Sequence, residues 1–308
     1  MLTISIENVN VEITSKCNLR CAFCYACCPM KEGIDVPFKK LNKFFSNFSK
    51  DGRRLMLTGG EIFMRGDVLK IIENAHDLGL LVDIFTNGTL LTDKHISFVS
   101  EKVDKVFITH DGSEKIHNAL RGKDMFKKTQ ISLKKLISAN CNVNVQCTIV
   151  PQSFQFEDEI IQNFLDLSPQ SVKFSHISKV GMGKTCRNLW LSDEEVLSQI
   201  DIVRRLSKES NYRIMSVPDF VNNKKYSISE SQIFPKIMPW IMCNGDLVPY
   251  RDDSSRTKIS SISTYPKLSV NVDELVEKLH SIMRRNIRHK EYFDYMEVVS
   301  DAIGELAK

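Results

Sequence analysis

The chain has 308 residues, and 42 basic against 38 acidic side chains give it a formal charge of +4. Apolar residues make up 42 % and charged residues 26 %, as in ordinary globular proteins, which excludes a disordered tail, a collagen-like repeat and a disulfide-dense miniprotein. The charge is small and the basic residues are dispersed, so nucleic acid is not an expected partner. No apolar run approaches the roughly 20 residues that span a bilayer, and the first residues lack the features of an export signal. We therefore expect a cytosolic protein without a membrane partner.

Short β-rich runs alternate with helical patterns along the first part of the chain. The six candidate strands are Val9–Thr14, Leu55–Thr58, Leu81–Phe85, Val106–His110, Val143–Val150 and Val172–Ile177. Apolar stripes at helical spacing lie between them, at 38–48, 68–78 and 160–165. This alternation predicts an α/β fold with right-handed crossovers and a parallel sheet, either an open barrel or a doubly wound sheet.

Polar and glycine-rich segments directly follow five of these strands. They are Cys17–Cys24, Gly59–Glu61, Asn87–Gly88, Asp111–Gly112 and Gly181–Gly183. The carboxyl ends of parallel strands lie along one edge of a sheet, and α/β folds build their sites at that edge. We therefore expect these five segments to form one site.

The pattern changes near residue 190, and we predict a domain boundary there. Residues 1–190 form the α/β domain, and residues 191–308 form a small α+β extension. Residues 208–235 are polar and aperiodic. Further on, Asn244-Gly245-Asp246 stands between apolar residues, which predicts a hairpin.

Cysteine is the unusual residue of this composition, because five of nine cysteines fall within residues 17–28. An odd number without an export signal favours metal or redox chemistry over a disulfide framework. Three of the five have the spacing C-x3-C-x2-C: Cys17, Cys21 and Cys24. Three thiolates on one loop can hold three corners of a four-iron cluster and leave one iron open. The alternatives are reactive surface thiols, or a zinc loop whose fourth ligand is Cys27, Cys28 or His110.

Further motifs give this cysteine loop a family resemblance. Cys17–Tyr25 resembles the C-x3-C-x-aromatic-C signature of the radical S-adenosylmethionine (SAM) superfamily, with Phe23 at the aromatic position. The other landmarks of that family follow in order, since Thr58–Glu61 resembles its GGE motif, Phe85–Gly88 its TNG motif and Ile108–Gly112 its SLDG motif. His117–Gly122 resembles the HDxLRG segment of the peptide- and protein-modifying branch.

The resemblance implies a partial (β/α)6 barrel, one [4Fe-4S] cluster held by the three cysteines, and SAM bound to the open iron. One electron from a flavodoxin- or ferredoxin-type donor then cleaves SAM to methionine and a 5′-deoxyadenosyl radical, which removes a hydrogen atom from the substrate. The cofactors carry this chemistry, and the protein orients them and excludes water.

The resemblance also assigns SAM contacts to residues at the strand ends. Gly59 and Gly60, beside Thr58, allow a close approach of the SAM amino group, and Glu61 helps to hold its ammonium. Thr109 and Arg121 are placed near the SAM carboxylate. The contacts with the nucleoside are assigned to Phe23, Thr86, Asn87, Gln146, Thr148 and the backbone near Val180. The structural alternatives are plain turns, a surface arginine and side chains inside the sheet.

The last part of the chain carries a weaker likeness. Trp240–Tyr250 resembles the start of a SPASM or twitch extension, but Tyr250 stands where that pattern has cysteine, and no cysteine follows. Only Cys186 and Cys243 lie beyond the barrel strands, too few for a second cluster. We therefore predict a degenerate extension that binds substrate. Cys243, or else Cys186, is a candidate hydrogen-atom donor of the kind peptide epimerases use, or an inert thiol.

Three functions remain open at this point. The first, which we expect, is a radical SAM enzyme that modifies a ribosomally synthesised peptide by epimerisation or bond formation. The second is a radical SAM enzyme that acts on a small molecule such as a sugar, a nucleoside or an amino acid. The third is a non-catalytic iron–sulfur or zinc scaffold.

Overall fold

Strands and helices alternate in the computed structural model, which describes residues 8–26, 28, 32–49, 53–177, 181–211, 213–216, 240–241, 246–248 and 260–261. The strands are β1 (Asn8–Thr14), β2 (Arg54–Gly59), β3 (Leu81–Thr86), β4 (Lys105–Thr109), β5 (Val143–Ile149), β6 (Ser171–His176), β7 (Arg213–Ser216), β8 (Trp240–Ile241), β9 (Asp246–Val248) and β10 (Ser260–Ser261). The helices are α1 (Phe38–Phe48), α2 (Val68–Asp77), α3 (Asp93–Lys102), α4 (Glu114–Arg121), α5 (Met125–Ser138), α6 (Glu157–Leu167) and α7 (Asp193–Glu209). Within these ranges no helix is both long and apolar enough to cross a bilayer.

All six predicted strands are present, with each end within one residue of its predicted position. They pair in chain order, β1 to β6, and every neighbouring pair is parallel. The sheet does not close on itself in the part of the chain that the structure describes, because its order runs from β10 at one end to β7 at the other. The prediction of a partial (β/α)6 barrel is confirmed.

The two faces of β5 differ in polarity. On β5, Val143, Val145, Cys147 and Ile149 belong to the apolar core that the helices cover. The residues between them are polar and point to the opposite, inner face of the partial barrel, because side chains alternate along a strand. The helices therefore do not cover the inner face, which is available to ligands.

The apolar stripes predicted as helices form α1, α2 and α6. In α1 the buried residues are Leu41, Phe44, Phe45 and Phe48, and the rings of Phe44 and Phe48 stack with centroids 5.5 Å apart. Burial of such a stripe contributes most of a helix's stability, since propensity alone is weak.

The sheet continues at both ends beyond the six predicted strands. β7 lies within the stretch that the sequence pattern left aperiodic, and it pairs in parallel with β6. At the other end, β8 and β9 form the antiparallel pair that Asn244-Gly245-Asp246 predicted, and β8 pairs in parallel with β1. The division of the chain near residue 190 stays a prediction.

Candidate functional site

The three motif cysteines lie on the loop that follows β1, and all three are half-buried thiols outside any disulfide. The Sγ of Cys17 accepts a hydrogen bond from the backbone N–H of Leu19 at 3.4 Å. The Sγ of Cys21 accepts one from Nη1 of Arg121 at 3.8 Å. Hydrogen bonds to cluster sulfurs are one of the means by which proteins adjust iron–sulfur centres.

The thiols of this loop influence one another electrostatically. Burial, with smaller contributions from the nearby Glu61, Cys21 and Cys24, raises the pKa of Cys17 to about 11. Burial also raises the pKa of Cys21, although the Arg121 guanidinium opposes that rise. Thiols in such a setting become thiolates when a metal supplies positive charge.

The donor set is three thiols on one loop, which can hold a four-iron cluster that keeps one iron open. Among the described residues, no three His, Cys, Asp or Glu side chains converge as ligands of a single metal ion. His110, a possible zinc ligand, is buried against the rings of Phe126 and Phe164, and burial lowers its pKa to about 3. A four-iron cluster is larger than one ion and needs only three thiolates when one iron stays open. The residues present therefore fit the cluster.

The Gly59–Gly60 turn packs directly on the cysteine loop. The N–H of Gly60 donates to the carbonyl of Thr14 at 2.9 Å, and the N–H of Glu61 donates to the carbonyl of Lys16 at 2.7 Å. A Cβ on Gly60 would overlap the carbonyl of Lys16 and lie 2.9 Å from the Cβ of Cys17. Only glycine permits this approach.

A Gly60→Ala substitution is therefore expected to displace the cysteine loop. The added methyl group meets backbone, so we expect the free energy of unfolding to fall by about 1–3 kcal/mol and the iron bound after reconstitution to fall with it. Gly66→Ala is the matched control, because nothing lies within 4 Å of the Cβ it would add. Urea unfolding and iron analysis of both variants provide the measurement, and equal behaviour would contradict the close packing.

Glu61 is a fully buried carboxylate that joins two of the strand-end loops. Its Oε1 accepts from the hydroxyl of Thr86 at 2.8 Å and from the N–H of Phe63 at 3.2 Å, and its Oε2 accepts from the N–H of Asn87 at 2.7 Å. Burial outweighs these three donors and raises the pKa of Glu61 to about 7. One of the four lone-pair positions, on Oε2, is left by this arrangement for the predicted SAM ammonium.

Asn18 links the cysteine loop to the turn after β3. Its Oδ1 accepts from Nδ2 of Asn87 at 2.9 Å, and its Nδ2 donates to the hydroxyl of Thr89 at 2.8 Å. Asn87 Oδ1 in turn accepts from the N–H and hydroxyl of Thr89. The side chains of Thr86 and Asn87 are thus engaged within the turn, and their contacts with SAM stay predictions. Sequence reasoning missed Asn18, although it lies between two motif cysteines.

Arg121 is bound through one edge of its guanidinium to Asp111. Nε donates to Asp111 Oδ2 at 3.0 Å and Nη2 donates to Asp111 Oδ1 at 3.1 Å, and the carboxylate is fully buried. His117 Nδ1 lies 2.9 Å from Asp111 Oδ2. Burial raises the pKa of Asp111, but Arg121 and His117 outweigh burial and hold that pKa well below its usual range. The sequence motif contained Asp111, but its pairing with Arg121 was not predicted.

The rest of the Arg121 side chain reaches the cysteine loop. Nη2 also donates to the hydroxyl of Thr148 at 3.1 Å, Nη1 donates to Cys21, and the guanidinium lies over the ring of Phe23, 4.7 Å from its centroid. The edge of the Arg121 guanidinium that can donate two parallel hydrogen bonds to a carboxylate therefore binds Asp111, although the sequence predicted the SAM carboxylate as its partner. A contact between SAM and Arg121 stays a prediction, with Nη1 as the donor available for it.

The inner face of the barrel carries three polar side chains in one row. Thr109, Gln146 and Lys173 are direct neighbours across β4, β5 and β6. Burial lowers the pKa of Lys173, and Lys173 makes no ion pair within the ranges that the structure describes. Sequence analysis singled out the first two, and it missed Lys173, a lone charge between Val172 and Phe174 of β6.

The loop after β6 closes on the other end of the cysteine loop. The N–H of Met182 donates to the carbonyl of Cys24 at 3.0 Å, and the thiol of Cys186 lies 3.1 Å from the carbonyl oxygen of Ala22. Val180 and Cys243 lie outside the described residues, so their predicted roles stay predictions.

Part of this sequence is similar to known proteins. A family model described as the radical SAM superfamily matches residues 11–165. The probable GTP 3′,8-cyclase of Sulfurisphaera tokodaii is 28 % identical over 189 residues, which is 58 % of this chain and 59 % of that protein. The sporulation killing factor maturation protein SkfB of Bacillus subtilis is 30 % identical over 142 residues, which is 45 % of this chain and 35 % of that protein. The match thus spans less than two thirds of either relative.

A solved structure shares the fold. Streptococcus suis SuiB bound to S-adenosylmethionine superposes with a TM-score of 0.70 at 16 % identity, over 86 % of this chain and 65 % of that one. SuiB has also been solved with its precursor peptide SuiA. At this identity the likeness shows the architecture alone.

Proposed function

The chain belongs to the radical SAM superfamily, whose enzymes use SAM and a [4Fe-4S] cluster, and on that premise we propose that it modifies a ribosomally synthesised peptide. Cys17, Cys21 and Cys24 are the cluster ligands in this proposal. When bound, the cluster and SAM supply a radical that removes a hydrogen atom from the substrate. Either epimerisation or bond formation in the peptide follows.

In this proposal, residues of the chain bind the cluster and SAM and orient them. Arg121 places a positive charge beside Cys21, which favours the thiolate form of that ligand. Glu61 offers its remaining lone pair to the SAM ammonium, and Thr109 and Gln146 lie side by side on the inner face of the barrel. Phe23, under the Arg121 guanidinium, provides an apolar wall for the adenine and excludes water.

One observation carries the assignment of the site. The cysteine loop is hydrogen-bonded to three of the other four segments that bear a family motif, through Glu61 N to Lys16, Asn87 to Asn18, and Arg121 to Cys21. Elements that are distant in sequence are thus held around the three thiols. Such preorganisation is what a site that binds a cluster and a cofactor requires.

Two features support a peptide substrate. The segment from His117 to Gly122 resembles the peptide-modifying branch, and its Arg121 and His117 both bind Asp111. SkfB, by its name, matures a killing factor, and SuiB binds a precursor peptide.

A small-molecule substrate is the second candidate. The similarity to GTP cyclases favours it, and so does Lys173, because a cation on the inner face that makes no ion pair with the described residues suits a phosphate group. GTP is therefore the comparison substrate.

The decisive experiment uses anaerobically reconstituted protein with SAM and dithionite in deuterated water. The substrates are synthetic peptides encoded by short reading frames beside the gene, and GTP in a parallel reaction. We expect 5′-deoxyadenosine to form and a peptide either to gain a single deuterium, which indicates epimerisation, or to lose hydrogen on bond formation. Mass spectrometry reads both.

The outcomes separate the candidates. Conversion of GTP with unchanged peptides would replace the first candidate by the second. Absence of 5′-deoxyadenosine in every reaction, from protein that holds its iron, would contradict the assignment of the site.

A further inference from the structure

One row of polar side chains on the inner face of the barrel has no partner among the described residues. Thr109, Gln146 and Lys173 stand at the same level on β4, β5 and β6. Their side chains point away from the apolar core, because a core residue stands next to each of them along its strand. None of the three side chains makes a hydrogen bond or an ion pair with a residue in the ranges that the structure describes.

The inner-face residues on either side of this row do have partners. Toward the amino ends of the strands, the hydroxyl of Ser171 donates to Asn144 Oδ1 at 2.6 Å. Toward the carboxyl ends, the hydroxyl of Thr148 accepts from Arg121 at 3.1 Å. Ser171, Asn144 and Thr148 are buried, whereas each member of the row between them is partly exposed. Exposure and the lack of a described partner thus coincide in one row, as a ligand-binding surface requires.

Two aromatic rings border this row. Phe107 precedes Thr109 by two residues on the same face of β4, and its ring stacks on that of Phe85 from β3. The ring centroids are 4.6 Å apart and the ring planes differ by 9°. Both side chains are partly exposed. An apolar wall beside a few polar groups is the usual composition of a small-ligand site.

Lys173 is the cation of this row, and burial acts on it without an opposing charge. Its neighbours along β6, Val172 and Phe174, are fully buried. Burial lowers the pKa of Lys173, and no charged residue in the described part of the chain offsets that effect. An ammonium group that loses water without gaining a counter-ion is unfavourable. An anionic group of a ligand would supply the counter-ion that these residues do not.

Lys173 is also the member of the row that stands furthest from the predicted contact with the SAM carboxylate, Thr109. Neighbouring strands lie about 4.8 Å apart, so the backbones of β4 and β6 are separated by roughly 10 Å at this level. We propose that Lys173 binds an anionic oxygen group of the substrate, a carboxylate or a phosphate, and thereby determines which substrate the site accepts. This inference rests on the proposed function, because it takes the inner face to be where the substrate binds. An acidic side chain of a peptide and the phosphates of GTP both carry such a group, and the experiment below separates them.

Three variants of the reconstituted enzyme isolate the charge of Lys173. Lys173→Met removes the ammonium group and keeps an unbranched side chain, and Lys173→Arg keeps the positive charge. Lys40→Met, which removes an exposed lysine of α1, is the matched control. Because the Lys173 ammonium has no described counter-ion, Lys173→Met should unfold at no lower urea concentration than the wild type. A purely structural role of Lys173 would instead lower that concentration and would contradict the proposal.

Calorimetry then measures binding in the presence of SAM, without dithionite. In one arm the ligands are the peptides encoded beside the gene, and copies in which each acidic residue is replaced by its amide. In the other arm they are GTP and guanosine. In one of the arms, we expect loss of the anionic group to weaken binding to the wild type by about tenfold or more. Lys173→Met should weaken binding of the intact ligand by a similar factor, and the two changes together should weaken it no further than either alone. Lys173→Arg should keep most of the affinity, Lys40→Met should match the wild type, and the affinity for SAM should not change in any variant.

The outcomes identify the anion or overturn the proposal. Coupling in the peptide arm identifies a carboxylate, and coupling in the GTP arm identifies a phosphate. Equal affinity of the wild type for charged and uncharged ligands in both arms, or binding of neither class, would overturn the proposal. So would a loss of SAM affinity in Lys173→Met, because the SAM carboxylate would then be the partner. The proposed function fails separately: a peptide that binds through Lys173 and is recovered unmodified after SAM cleavage would count against peptide modification and leave the anion contact standing.

Discussion

Replacement of Cys17, Cys21 or Cys24 by serine is expected to abolish iron–sulfur cluster binding and SAM cleavage. Three thiolates hold the cluster in the proposed site, and a hydroxyl is a far weaker ligand for iron. Iron should fall from about four per chain in the reconstituted wild type to near zero in each variant. The formation of 5′-deoxyadenosine should fall to background. Iron and sulfide analysis and chromatography of the nucleoside products measure these two losses.

Cys141→Ser is the matched control for this loss. Cys141 is also a half-buried free thiol, but it packs against the apolar core between α5 and β5, far along the chain from the cysteine loop. This variant should keep its iron and its SAM cleavage. A Cys24→Ser variant with the full iron content, or a Cys141→Ser variant without iron, would show that the ligands are misassigned.

Removal of the Asp111 charge is expected to cost about 3–5 kcal/mol of the free energy of unfolding, because one partner of a buried ion pair is lost. In Asp111→Asn, an amide nitrogen replaces a carboxylate oxygen that accepts hydrogen bonds in the wild type. The Arg121 guanidinium, which is only 11 % exposed, loses its charged partner. That loss is a large fraction of a typical domain's stability. Urea unfolding of the reconstituted protein measures it.

Two further variants bracket this effect. Asp201→Asn removes a carboxylate that pairs with Arg204 on the exposed face of α7, where both side chains are about two-thirds exposed, and should cost less than about 1 kcal/mol. The double variant Asp111→Leu/Arg121→Met removes both buried charges and should be more stable than Asp111→Asn. A double variant no more stable than the single one would contradict the ion-pair explanation.

The same pair predicts a dependence on pH. The folded-state pKa of Asp111 lies below its unfolded value, so its contribution is present above the ordinary aspartate pKa. It is lost as the pH falls through the folded-state pKa. Wild-type protein should therefore lose stability in acid more steeply than Asp111→Asn, which has no carboxylate to protonate at this position.

The barrel strands were predictable because each carries its own local signal. In β5 the apolar residues recur at every second position, so the sequence alone indicated that this segment is a strand. In β7, four residues are too few to display a period, and its place beside β6 depends on a distant pairing. Helix α3 was missed for a similar reason, because only Ile96 and Val99 of its ten residues are buried.

The motifs of the site could be predicted from the sequence, but the hydrogen bonds between their residues could not. The spacing of Cys17, Cys21 and Cys24 needs only the chain itself, and so does the turn that Gly60 allows. The role of Arg121 is different, because a guanidinium fits a cofactor carboxylate and a protein carboxylate equally well. Which one it meets depends on where β4 and α4 place Asp111, and that placement comes from tertiary packing.

The pairing of β8 with β1 has a consequence for biosynthesis. Asn10 pairs with Trp240 and Val11 with Ile241, so the strand that leads into the cysteine loop obtains its outer neighbour from a segment about 230 residues later. During translation the outer edge of β1 stays bare until that segment leaves the ribosome, because domains of growing chains fold from the N-terminus. A bare strand edge invites pairing with other chains. Assembly of the cluster on this loop is thus best delayed until the chain has been synthesised beyond β8.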